Sequence, residues 1–434
     1  MSLSNSIRVH ILDPAVHNSS RSEFRLGDAF YASSLKLVDV GVYSAQVNGA
    51  STGLYYSSVN GVLSSIKGLT LYSGSTIIDQ IQELAAYGSV KNLMVTNQGS
   101  EDINRFQLLN GISLTPAVGG RGLTTEATHK DYDQTYALTL DPALAAFVRK
   151  ARHNNQIQIS SVQDGGPSGL LLLSDYLEFL KSLPMLPMIP DLRLVIEWNT
   201  AAADFYNDPA APSPPGSFSL TPIRPQLMCE ELLGQQMPKG VTKLPFVSTI
   251  VERFVVPAVA DGTTVTSSFR SGAFRSRFVK DFILYNRVST ADSWMLRNNR
   301  SVAQKGEIIQ LVVNGRKYLA DNGISQEAQK LQFFNQTLGA LNAPLAGAMS
   351  SCADVVAQRD NVLAAPAHKV AHNMSVTAVG INDVIDRLDI EYTRQGSTLA
   401  PGPGGDQTSA FDLLVFGHVN RLLEMQDGKI RLSY

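Results

Sequence analysis

Few residues of this chain are spaced for chemistry. His368 and His372 lie four positions apart. On a helix that spacing sets both imidazoles on one face, where they could share a metal ion. Their flanks, Val370 and then Asn373-Met-Ser-Val-Thr377, have the composition of a strand, and no third ligand is close in sequence. Asp204, Asp208 and the pair Glu230-Glu231 surround a proline-rich stretch. Two carboxyls can serve as acid and base when a pocket holds them, but charges beside a linker are solvated by default. Arg270, Arg275 and Arg277 crowd into Arg270-Ser-Gly-Ala-Phe-Arg-Ser-Arg-Phe278. They could bind an anion or a partner's carboxylate, or stand as the solvent-facing alternates of a strand. Cys229 and Cys352 make no CxxC pair. Two reduced or buried thiols are one reading, and a single Cys229–Cys352 bridge is the other. Asn18-Ser-Ser20 matches a glycosylation acceptor, which has no consequence without a secretion signal. The patterns GxxxxGK[ST], GxGxxG and HExxH are absent. The expectation is a protein with no catalytic, cofactor-binding or metal-binding residues, no cofactor, and no enzymatic role.

Whatever the chain does must then lie in its architecture. It has 434 residues, 44% of them hydrophobic and 17% charged, which suits a folded protein of two domains. Its net charge is −2, from 36 basic and 38 acidic residues, and no long basic block occurs. That argues against direct, sequence-specific nucleic-acid binding. The opening residues MSLSNSIRVHILD lack a basic start and a continuous apolar core, so no signal peptide is expected. No apolar run approaches the roughly 20 residues that span a bilayer. The expected setting is soluble, in a reducing compartment.

The strongest pattern is a repeat. Arg8–Tyr43 and Arg253–Tyr285 share a skeleton: Pro14-Ala15-Val16 matches Pro257-Ala258-Val259, and Phe24-Arg25-x-Gly27 matches Phe269-Arg270-x-Gly272. Leu194-Val-Ile-Glu-Trp198 reads like Leu388-Asp-Ile-Glu-Tyr392, an offset of 391 − 197 = 194. A unit of this length has the size of a domain rather than of a solenoid repeat.

Between these anchors the chain reads as many short strands. Ile7, Val9 and Ile11 alternate with Arg8, His10 and Leu12. Phe24–Tyr43, Gly53–Val59, Leu63–Tyr72, Leu93–Thr96, Phe106–Leu109, Tyr136–Leu140, Gln156–Val162 and Leu192–Trp198 follow, the last taken as the final strand of the first domain. Asn207–Pro225 is too rich in proline for regular structure and reads as a connection. The second half offers Thr249–Val259, Thr263–Phe269, Phe278–Tyr285, a hairpin around Asn314-Gly315, Val370–Val379, Val384–Tyr392, Phe411–Phe416 and Lys429–Tyr434. Helices are expected at Ser75–Tyr87, closed by Gly88, at Pro142–Arg152, at Ser174–Leu183 with Asp175 and Glu178 as a capping pair, and at Ser325–Leu341. The expected fold class is all-β with a few short helices: two tandem eight-stranded jelly-roll β-sandwiches. The expected division is 1–205 for the first, 206–246 for a proline-rich connector and 247–434 for the second.

This arrangement resembles the double jelly-roll major capsid proteins of icosahedral double-stranded DNA viruses, the lineage of adenovirus hexon, tailless phages, virophages and polinton-like viruses. The likeness rests on the proline-and-leucine approach Leu183–Glu197, its briefer counterpart Ile381–Tyr392, and the doubled opening segment. It implies homotrimers of pseudo-hexagonal outline that tile a shell. It also implies neighbouring capsomers as partners, minor capsid, cement or penton proteins beside them, an inner membrane layer beneath, and a place in the virion capsid. Two alternatives remain at this point: a minor capsid or vertex protein, and a carbohydrate-binding β-sandwich.

Overall fold

A computed structural model of the chain describes residues 7–44, 54–56, 62–95, 169–183, 185–200, 205–207, 219–235, 241–287, 304–325, 327–338, 376–396, 408–426 and 429–433. Eight strands organise the first half: β1 Ile7–Leu12, β2 Arg21–Arg25, β3 Lys36–Val40, β4 Ile66–Ser73, β5 Thr76–Gln82, β6 Gly169–Leu172, β7 Leu192–Trp198 and β8 Gln226–Leu232. They pair antiparallel in the orders β1-β8-β3-β6 and β2-β7-β4-β5. Eight more follow: β9 Thr242–Val256, β10 Thr264–Ser271, β11 Arg277–Arg287, β12 Ile308–Val313, β13 Arg316–Lys317, β14 Val376–Ile385, β15 Leu388–Gln395 and β16 Phe411–Gln426. Their orders are β9-β16-β11-β14 and β10-β15-β12-β13. Adding eight to each strand number of the first half yields the sheets of the second. The chain is therefore two jelly rolls of one topology in tandem.

The sequence anchors fall on equivalent strands. Phe24 of β2 pairs with Leu194 of β7, and Phe269 of β10 pairs with Ile390 of β15. The structural offset between β7 and β15 is thus 390 − 194 = 196, two more than the sequence match gave. A slip of two keeps every side chain on its face, which is why the match survived it. The Asn314-Gly315 hairpin forms as expected, with both residues at positive φ, 51° and 79°. Lys429–Ser433 pairs with the end of β16, so that segment is also a strand.

Four expectations fail. Thr76–Gln82, inside the expected helix Ser75–Tyr87, is strand β5. Its register shifts opposite Leu71/Tyr72, so Ile78 and Ile81 both turn inward although they are three positions apart. A bulge thereby imitates helical spacing. The helix starts later, as α1 Leu84–Val95, with Gly88 inside it and the expected strand at Leu93 absorbed. Leu192–Trp198 is not the first roll's final strand; β8 is, and it lies within the stretch read as connector. At α2, Glu178–Ser182, the N-cap is Leu177 and makes no side-chain cap bond, so Asp175 does not cap it. The helix expected at Ser325–Leu341 is α3 Glu327–Leu338. The segments expected at Phe106–Leu109, Tyr136–Leu140, Pro142–Arg152 and Gln156–Val162 lie outside the described residues.

The second roll closes on its own core, built from Val256, Phe282, Leu311, Ile390, Leu413 and their neighbours. Phe274 lies two residues after the repeated Phe-Arg-x-Gly segment and fixes that core to β16. It is fully buried, edge-on to Phe282 with ring centroids 4.8 Å apart. A Cβ on Gly417 would lie 2.4 Å from the Phe274 ring. Gly417→Ala is expected to lose about 1–3 kcal/mol by forcing that ring out of place. The readout is a lower urea midpoint at unchanged slope; an alanine variant as stable as the parent would refute the tight fit.

Candidate functional site: the joint between the two rolls

The described residues with the densest buried chemistry sit where the rolls meet. Along β16, Leu413, Val415 and Val419 belong to the second roll's core, while Leu414 and Phe416 belong to a cluster that includes the first roll's core. Successive residues of a strand face opposite ways, so this strand is covered on both sides, and its run Phe411–Val419 is buried throughout. Tyr87 of α1 packs on Phe416 with centroids 5.4 Å apart. Phe179 of α2 meets Phe246 of β9 edge-on at 4.8 Å. The first roll's core thus continues into the second.

Polar groups thread this apolar seam. His418 of β16 is bonded through Nδ1 to Asp281 Oδ1 at 2.7 Å and through Nε2 to the Tyr87 hydroxyl at 2.9 Å. Tyr87 donates to Glu178 Oε1 at 3.2 Å, and Lys91 Nζ donates to the same oxygen at 2.7 Å. Burial works to raise the Glu178 carboxyl, but Lys91, Lys181 and His418 outweigh it and hold the group at about 2. Burial pushes the Tyr87 phenol well above its usual range.

A second knot centres on Asp79 of β5. It accepts from Ser248 Oγ of β9 at 2.6 Å, from the Phe179 amide of α2 at 2.9 Å and from the Gln80 amide at 3.0 Å. Burial pushes its carboxyl up to about 7, against those donors and Arg421. Arg421 of β16 donates to Ile78 O at 2.8 Å. A third tie is Arg287 of β11, which bonds Glu83 ahead of α1 and Asp412 of β16. An Asp–His–Tyr chain has the residue types of an acid–base relay. Here Tyr87 is fully buried and His418 is 9% exposed, and their polar atoms are engaged by one another. The arrangement fastens two sandwiches.

No protein-family model and no curated protein matches the sequence. Solved structures do match. A chain of the Sputnik virophage structure superposes with TM-score 0.52 at 11% identity, covering 100% of this chain and 89% of that one. A chain of the PBCV-1 virus capsid gives 0.51 at 10%, covering 100% and 98%. The mavirus major capsid protein gives 0.50 at 11%, covering 99% and 90%. This chain has the fold of a double jelly-roll capsid protein.

In this double jelly roll the sequence-nominated residues are dispersed. Glu230 and Glu231 are consecutive on β8 and so face opposite ways. Glu230 meets Lys36 at 3.4 Å and Glu231 meets His10 at 2.7 Å, which makes two separate ion pairs rather than an acid–base couple. Arg270 pairs with Asp389 at 3.0 Å, Arg275 is exposed and Arg277 opens β11. They do not converge on an anion site. Cys229 is a free thiol on the core side of β8, pushed up to about 11 by burial and then by Glu231. Asn18 Oδ1 closes a turn by accepting from Ser20 and Arg21. His368, His372, Asp204, Asp208 and Cys352 lie outside the described residues. So does Gly49-Ala-Ser51-Thr-Gly53, which has the spacing of a nucleophile elbow. Among the described residues no group of three metal-capable side chains occurs, and no helix is long and apolar enough to cross a membrane. The joint itself was invisible to sequence reasoning, since Tyr87 and His418 are 331 residues apart.

Proposed function

We propose that this chain is a structural major capsid protein, a brick of an icosahedral viral shell without catalytic, cofactor or metal residues of its own. One observation carries the reading: two rolls of identical strand order, welded by a continuous core and buried hydrogen bonds into one tandem unit. A catalyst needs a site, whereas a shell needs a stiff repeating block with self-complementary surfaces. The fold likeness to the mavirus major capsid protein supports the same reading. On this reading the chains form trimers of pseudo-hexagonal outline that tile the virion capsid, beside minor capsid, cement or penton proteins and over an inner membrane layer. Sequence-specific nucleic-acid binding is not part of the role. We place the division between the rolls at 233–241, because the pairing of β8 with β1 ties 226–232 to the first roll.

The test is mass in solution. Native mass spectrometry is expected to give three times the 47.0 kDa chain, and images of that species a pseudo-hexagonal outline. A stable monomer at assembly concentrations would overturn the proposal.

A further inference from the structure

Three side chains of complementary reactivity meet at one end of the second roll's core. Along β11, Phe282 and Leu284 face that core, and Asn286 continues the same alternation. Along β12, Ile309, Leu311 and Val313 face it, and Glu307, two residues before Ile309, continues theirs. Tyr392 of β15 belongs to the same core, with its ring centroid 5.4 Å from that of Phe411. Lys330 enters from α3. Core-facing positions are ordinarily apolar, so an amide, a carboxylate and an amine gathered there are unusual.

Their contacts bring a nucleophile and an electrophile together. Glu307 Oε2 is held by the Gln304 amide at 2.8 Å. Its other oxygen, Oε1, meets both Lys330 Nζ at 3.0 Å and Asn286 Nδ2 at 3.3 Å. The amine and the amide are therefore neighbours across one carboxylate oxygen. Asn286 Nδ2 also donates to the Tyr392 hydroxyl at 2.7 Å, which orients the amide. Burial pushes the Tyr392 phenol well above its usual range, so it keeps its proton. Asn286 is fully buried, and the Lys330 and Glu307 side chains are 2% and 1% exposed. Water is thereby kept from solvating the amine or hydrolysing the amide.

We propose that Lys330 and Asn286 couple into an intramolecular isopeptide bond, with Glu307 as the proton carrier. Glu307 first takes a proton from the Lys330 ammonium, which turns two buried charges into two neutral groups. The amine lone pair then attacks Asn286 Cγ, and the carbonyl π pair moves onto oxygen. Glu307 gives its proton to Nδ2, the Cγ–Nδ2 bond breaks, and ammonia leaves as the carbonyl re-forms. The newly bonded nitrogen returns one proton to Glu307. Every product is neutral, and no oxidant or cofactor enters. Holding the partners in contact removes the cost of bringing them together. The event happens once within one chain and takes up no outside substrate, so it hardens a structural block without making it an enzyme. The bond would tie α3 to β11 and close a loop of 330 − 286 = 44 residues, restricting the unfolded chain as a disulfide does. The ion pair in the structure is the reactant state. Unfolding energies that involve it therefore refer to freshly folded chain that has not yet coupled.

Intact-mass spectrometry of the folded full chain, followed over days, is expected to show the loss of one ammonia, about 17 Da. Trypsin is then expected to release Asp281–Arg287 joined to the peptide that carries Lys330, uncut after residue 330. Glu307→Gln keeps the amine and the amide but removes the proton carrier, so its coupling is expected to slow at least about a hundredfold. Lys330→Arg and Asn286→Ala should hold their full sequence masses. These are core variants, and the parent decides the matter even where they fail to fold. Folded parent that keeps its full mass and yields the two peptides separately overturns the proposal. An ammonia loss confined to Asp281–Arg287 marks a cyclised asparagine and overturns it too. Folded Glu307→Gln that couples at the parent's rate overturns the role given to the carboxylate.

Discussion

Lys330→Ala is expected to destabilise the second roll by about 3–5 kcal/mol, among the largest effects of any single truncation in this chain. Lys330 of α3 reaches Glu307 Oε1 at 3.0 Å, with side chains 2% and 1% exposed. Glu307 also accepts from the Gln304 amide at 2.8 Å and from Asn286 Nδ2 at 3.3 Å, and Asn286 donates to the Tyr392 hydroxyl at 2.7 Å. The ammonium thus supplies a buried cation in direct contact with this carboxylate. Alanine would take that cation away from a buried charge, and the cost of keeping the charge dry would pull α3 away from β14. Removing both charges is another matter. Lys330→Met with Glu307→Leu also abolishes the desolvation cost, so the double variant is expected to recover most of the loss. Urea denaturation of the two single variants and the double gives the coupling. A loss below about 1 kcal/mol for Lys330→Ala would mean that water reaches the pair, and the argument would fail.

Legibility differed sharply between the strands and the joint. The doubled anchors were readable because strand equivalence leaves alternating apolar residues and turn glycines at matching spacings, and a two-residue slip does not erase that. β8 was missed because Pro222 and Pro225 stand directly before it and give its surroundings the look of a linker. β5 was missed because its bulge sets Ile78 and Ile81 on one side. The strand at Ile7–Leu12 was found, yet its sense was hidden. Ile7, Val9 and Ile11 would ordinarily be assigned inward, and the register with β8 turns them outward. The buried network left no trace at all. Asp79 and Ser248 are 169 residues apart, and neither belongs to a motif. Such contacts are set by how one sandwich lies against another, which no local spacing records.

The joint should also make stability depend on pH in two opposed windows. Asp79 holds its proton more tightly when folded, at about 7 against an ordinary 3.8, because burial outweighs its donors. A raised carboxyl stabilises the fold fully below the unfolded value and loses that contribution as pH rises through the folded one. Roughly 4 kcal/mol is expected to disappear between about pH 4 and pH 7. Glu178 works the other way, at about 2 against 4.5, since Lys91, Lys181 and His418 overcome its burial. Its contribution is present above 4.5 and is lost as pH falls toward 2, by roughly 3 kcal/mol. Together they place the seam's greatest stability near pH 4–5. Asp79→Asn removes the upper limb, because an amide does not titrate. It also sets an N–H donor among donors, costing about 1–3 kcal/mol at every pH. The variant should therefore be weaker than the parent at pH 4.5 and approach or pass it at pH 7.5. Glu178→Gln should flatten the acid limb by comparison with the parent and leave the upper one intact. Urea titrations at pH 3, 4.5 and 7.5 measure all three proteins. If Asp79→Asn keeps the parent's fall between pH 4.5 and 7.5, the buried carboxyl is not its source, and the seam is wetter than its packing implies.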